Sequence, residues 1–182
     1  MVGTLRTKIG STVILAILLT SCGNPAPDIN QYSSSHRLRE LCDFPLHFFQ
    51  EKFNVQEIAT SVIITKPVES PIHYGNGCSY SANSDTRQGF LGTSSIWWNG
   101  GEGSMSTAEG EPSSHIQIGQ HAVAVYINKI PVYMDPETAH PSYTLNVAID
   151  DWAGELTFMG GTDSAARSGA ETLVRMVQAL KA

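Results

Sequence analysis

The N-terminal segment that ends in Thr20-Ser21-Cys22-Gly23 constrains this chain most, because it sets both where a folded unit can begin and the compartment in which it folds. Arg6 and Lys8 supply a basic start, and Val13 to Leu19 is an uninterrupted apolar run. That is the layout of a secretory signal peptide over residues 1–21. The apolar run falls far short of the about 20 residues that a membrane-spanning helix needs. It therefore reads as a removable targeting segment. An ordinary signal-peptidase site that leaves Cys22 as a free thiol is the alternative, since Leu19 and Ser21 also fit a loose small-residue cleavage rule.

Leu19-Thr20-Ser21-Cys22 resembles the bacterial lipobox, a branched apolar residue and two small residues before an obligatory cysteine. The resemblance implies diacylglycerol attachment at Cys22 and cleavage before it. Two or three acyl chains at ~0.8 kcal/mol per buried methylene hold a protein stably on a membrane. Cysteine parity agrees. Of the three cysteines, one is left over in an exported chain. Lipidation of Cys22 accounts for it and leaves Cys42 and Cys78 free to form a disulfide, worth about 4 kcal/mol by loop-closure entropy. Two buried free thiols are the alternative. Neither cysteine has a second cysteine or histidine two to four positions away, so no metal site is implied.

Residues 22–35 are mostly polar, contain two prolines and show no apolar period, which predicts a lipidated cysteine on a flexible tether. Residues 36–182 then form a single domain, and a hydrophobic fraction of 41% suits a unit that buries its own core. The net charge is −6, and losing Arg6 and Lys8 makes the mature chain more acidic still. Such a charge repels phosphate backbones and anionic headgroups, so nucleic acid is excluded as a partner and a basic patch cannot be what holds the chain to a membrane.

Within the domain, Leu38 and Leu41 precede Pro45, while Leu46, Phe49 and Phe53 follow it at helical spacing. This predicts a short helix carrying Cys42 and a second one running to about Phe53, with Pro45 in its first turn. Ile58 to Lys66, Ile72 to Ala82 and Phe90 to Trp98 read as strands, the last two as an antiparallel pair. Asn99 to Ser114 is rich in glycine and serine and predicts a mobile loop that could order on binding. Strands are expected at 115–118, 122–127 and 143–149. A tight return over Asp150 to Gly154 leads into 155–159. From Asp163 to Leu180 the period becomes helical, with Ala166, Ala170, Leu173, Val174, Val177 and Leu180 on one side and Thr162 or Asp163 as cap. The fold class is α+β: an antiparallel sheet packed by a C-terminal amphipathic helix and a short N-terminal helical segment.

Six histidines are present, and His115, His121 and His140 are the candidates for chemistry. Their spacing matches no HExxH helix or zinc signature. GxSxG, SxxK and glycine-rich phosphate loops are absent, so neither a catalytic nucleophile nor a cofactor is implied. Asp150 and Asp151 sit at a turn, where solvation explains them. Trp97 and Trp98 are adjacent on a strand, so one of them must leave the core face. That indole could bind a ligand, although a covering C-terminal helix is the favoured explanation. Trp152 is a weaker candidate.

The mature chain as a whole resembles the actinobacterial lipoproteins that carry a two-cysteine domain of unknown function. The likeness rests on the lipobox cysteine, the polar tether, Leu41-Cys42-Asp43, Cys78-Ser79-Tyr80, Gly119-x-x-Ala122 and the terminal helix. It implies membrane anchoring and a disulfide, and no reaction. Three functions are compatible with the residues. One is a non-catalytic envelope module binding a small apolar ligand, a cell-wall component or another exported protein. The others are an exported hydrolase using two of the three histidines with carboxylates, and an accessory subunit of an envelope complex.

Overall fold

In a computed structural model, which describes residues 33–63, 66–73, 75–82, 89–99, 106–128, 141–160 and 162–181, Pro45 divides the N-terminal apolar stretch. The signal segment, Cys22, most of the tether and His140 lie outside the described residues. Helices α1 (Leu38–Asp43) and α2 (Leu46–Phe53) flank the proline. Phe44 remains helical at φ −58° and ψ −49°, so the break comes from the missing amide and not from an extended residue before it. Pro45 is the cap of α2 and not its first-turn residue, and Asn54 closes that helix in the left-handed region at φ 52°. Glu40 returns to the start of α1, where it accepts from the Arg37 amide at 2.9 Å and meets His36 Nδ1 at 2.7 Å. His36 and that amide hold the Glu40 carboxyl below its ordinary range.

The strands are β1 (Ala59–Val62), β2 (Asn76–Ser81), β3 (Phe90–Trp98), β4 (Ser114–Ile118), β5 (His121–Asn128), β6 (Ser142–Ile149) and β7 (Trp152–Met159), followed by helix α3 (Asp163–Leu180). The first two are shorter than the apolar patterns suggested. At the β6–β7 turn, Asp150 adopts φ 55°, and β7 resumes at once with Trp152, so the return is tighter than Asp150 to Gly154. Thr162 caps α3 by accepting from the Ala165 amide.

All seven strands form one antiparallel sheet in the order β1-β2-β3-β7-β6-β5-β4, which makes the fold α+β. The last strand in sequence is inserted at the centre, beside β3. The three helices lie on one face. Side chains alternate across the pleat, so Cys78, Tyr80, Ile96, Leu145, Val147, Leu156 and Phe158 pack beneath them with Leu173, Met176 and Val177. Gly154 allows α3 to approach, since a Cβ there would lie 2.4 Å from Val177 Cγ2. Cys42 of α1 is bonded to Cys78 of β2, with the Cα atoms 5.4 Å apart.

Tyr80 is buried under α2, stacked on Phe49 at 4.5 Å between ring centroids, with its hydroxyl 2.7 Å from Ser94 Oγ. Burial drives its phenol well above the ordinary value, against the smaller opposing pull of the Ser94 hydrogen bond. Released on unfolding, the phenol titrates near 10.0. The neutral folded state is thus fully favoured below that pH and loses ground as pH rises through it. Thermal unfolding followed from about pH 9 to about pH 11 is expected to show a smaller decline in Tm for Tyr80→Phe than for the wild type. Parallel declines would mean that Tyr80 does not contribute to alkaline unfolding.

Candidate functional site

Among the described residues the opposite face of the sheet carries no helix, and its register sorts the side chains into rows. Gly77, Ser95, Glu155, Asn146, Ala124 and His115 are successive cross-strand neighbours. Trp97, Ala153 and Ala148 form the row on one side, while Ser79, Thr93, Thr157, Thr144 and Tyr126 form the row on the other. Small and hydroxyl-bearing side chains dominate this floor, which leaves room above it.

Residues 106–108 run across the floor as a strap held by Glu155. Its Oε2 accepts from the Thr107 amide at 2.8 Å and lies 2.9 Å from Ser106 Oγ, while its Oε1 accepts from Thr107 Oγ1 at 2.6 Å. The Asn146 amide, oriented to satisfy its neighbours, donates to Glu155 Oε2 at 3.1 Å and to the Leu145 carbonyl at 3.2 Å, with its oxygen 2.6 Å from Ser106 Oγ. Part of the loop expected to be mobile is thereby packed down, and its end, Ser114, already belongs to β4. Glu155 is 2% exposed and has no cationic partner among the described residues. A buried carboxylate met only by neutral donors is costly unless every donor is well placed, and such groups concentrate at functional sites.

Trp97 is the tryptophan that leaves the helix-covered face, as the alternation required. The favoured cover, the C-terminal helix, is on the other side of the sheet, so that explanation is corrected: Trp97 is only 3% exposed although no helix of the described residues lies over it. Its Nε1 has no hydrogen-bond partner among the described residues, and neither does Nδ2 of Asn76, which is 1% exposed. A buried donor left unmet costs about 1–3 kcal/mol. Trp98 and Trp152 are paired in register on the helix-covered face, Trp98 half-buried and Trp152 buried at the core.

Two cavities meet at Trp97. One of about 410 Å³ is lined by Trp97, Asn99, Ser106, His115, Tyr126, Asn146 and five alanines, among others. The other, about 170 Å³, is lined by Ile63, Asn76, Gly77, Ser95, Trp97, Thr107 and Glu155 among others. A larger depression of about 640 Å³ lies elsewhere, beside the exposed Glu51 and Lys52 and the start of α3, and carries no buried polar side chain among its lining residues.

His115 and His121 do not converge. His115 lies on the helix-free face, three strand positions from Glu155 and therefore roughly 14 Å away. His121 has the opposite parity on β5 and meets Gln178 of α3 at 3.1 Å. His140 lies outside the described residues. Asp150 and Asp151 are exposed at their turn, with Asp150 in contact with Lys181. Among the described residues no group of three histidine, cysteine or carboxylate side chains could hold a metal.

Glu155 is the residue that the sequence hid. Alternation along Trp152 to Met159 places it with Ala153 and Thr157 on the face opposite the core, as an ordinary outward carboxylate. A single glutamate among small residues on a strand was the available signal. Glu155→Gln preserves its volume and replaces charge-assisted hydrogen bonds by neutral ones. We expect amide exchange at Thr107 to speed up about tenfold. Unchanged exchange would show that the strap is held by other contacts.

No family model, no curated protein and no solved structure matches this chain.

Proposed function

We propose that the protein is an exported lipoprotein, anchored through Cys22 on the outer face of the cell membrane, and that its helix-free sheet face is a non-catalytic binding site for a small ligand. The observation that carries the binding reading is the buried Glu155 carboxylate beside the unpartnered Trp97 indole, on a floor of small side chains with open space above it. Binding sites of this type combine apolar walls with a few convergent polar groups. The anchor is supported by the lipobox-like Leu19-Thr20-Ser21-Cys22 and by a disulfide between the two remaining cysteines, a bond that persists in oxidising compartments. Among the described residues no helix is long and apolar enough to cross a membrane, and a lipid would serve instead.

The experiment is intact mass spectrometry of protein extracted from its native membrane, under native and denaturing conditions. The denatured chain is expected to start at an acylated Cys22. The native species should be heavier by a small molecule that denaturation releases. A chain without acyl groups overturns the anchor. Identical native and denatured masses, in protein that a membrane extract cannot load, overturn the binding site.

A further inference from the structure

The cavity of about 170 Å³ has chemistry of its own. Ile63, Gly77 and the Trp97 ring give it apolar walls, and the Trp97 indole brings a buried donor that has no partner among the described residues, whereas Asn76, paired in register with Ile96, belongs to the helix-covered face. Glu155, diagonal to Trp97 across the β3–β7 pair, brings the acceptor. Its Oε2 is crowded by Ser106, Thr107 and Asn146, but among the described residues Oε1 has Thr107 Oγ1 as its one donor, and a carboxylate oxygen can take two.

An occupant that satisfies these groups must donate one hydrogen bond and accept at least one at the same end. A hydroxyl does both: its O–H is donated to Glu155 Oε1 while its oxygen accepts from the indole. An anion would meet the carboxylate with no cation to offset it, and an ammonium would leave the indole donor unmet. The volume sets the size, since a dry cavity of roughly 150 Å³ takes a benzene-sized body. We propose that this cavity binds a small neutral alcohol, a hydroxyl on an apolar body of about six carbons. This rests on the reading of the helix-free face as the ligand face.

Indole N–H signals of the ¹⁵N-labelled wild-type domain, with Trp97 assigned through Trp97→Phe, can be followed during titration with cyclohexanol, cyclohexanone and cyclohexylammonium. The Trp97 signal is expected to shift saturably with cyclohexanol, and the ketone, which cannot donate to Glu155, to bind about tenfold more weakly. In Glu155→Gln that preference should shrink. An unmoved Trp97 signal overturns the proposal, as does equal binding of the ketone or tightest binding by the ammonium. If native protein nonetheless carries a released small molecule, the ligand face stands and its occupant is not an alcohol in this cavity.

Discussion

Replacing both Cys42 and Cys78 by alanine is expected to lower the unfolding free energy by about 4 kcal/mol, the loop-closure entropy of a crosslink of this span. The bond joins residues 36 apart and fixes α1 to β2, near the edge of the sheet where α3 does not reach. Small domains are stable by only about 5–15 kcal/mol, so the loss removes a large fraction of the margin. Urea denaturation of the oxidised wild type and the double variant provides the comparison. A change below about 1 kcal/mol would sink the idea that the crosslink restrains the unfolded chain. Because both sulfurs are buried, reductant should act slowly on the native fold and quickly once it is loosened by urea.

A second large effect is expected at Phe158. Its ring is the meeting point of the helix layer and the sheet, at 5.3 Å from Phe48 of α2 and 5.3 Å from Tyr143 of β6, and its edge lies where Gly169 lets α3 come close. Phe158→Ala removes these contacts at a fully buried position and should cost about 3–5 kcal/mol, part transfer and part cavity. Phe158→Leu keeps most of the volume and should cost less, although it also loses both ring pairs. Equal midpoints for the two variants would mean that the site collapses around alanine and that the rings contribute little.

What the sequence disclosed follows from the range of the forces involved. The terminal helix was legible because its apolar stripe and Thr162 cap are local signals, and all six residues named for its inner side are buried. The pair Cys42 and Cys78 was legible through parity. The position of β7 between β3 and β6 was not, because strand order depends on pairings over long separations that leave no local mark. The same holds for the site. Glu155 owes its burial to Ser106 and Thr107, 49 and 48 residues earlier in the chain. Alternation could say that one of Trp97 and Trp98 turns outward, but neither which one nor what lies over that face.

The sheet ends in β1 on one side and β4 on the other, four and five residues long, and both are largely exposed. Their sequences, Ala59-Thr-Ser-Val62 and Ser114-His-Ile-Gln-Ile118, each carry two or more polar residues. On a membrane surface, tethered molecules are confined to two dimensions and collide with their own copies far more often than in free solution. Exposed strand edges are templates for pairing with another chain, and short polar ones are poor templates. For a chain anchored as proposed, the brevity of β1 and β4 acts as a crowding safeguard, one that lengthening either edge with apolar residues would remove.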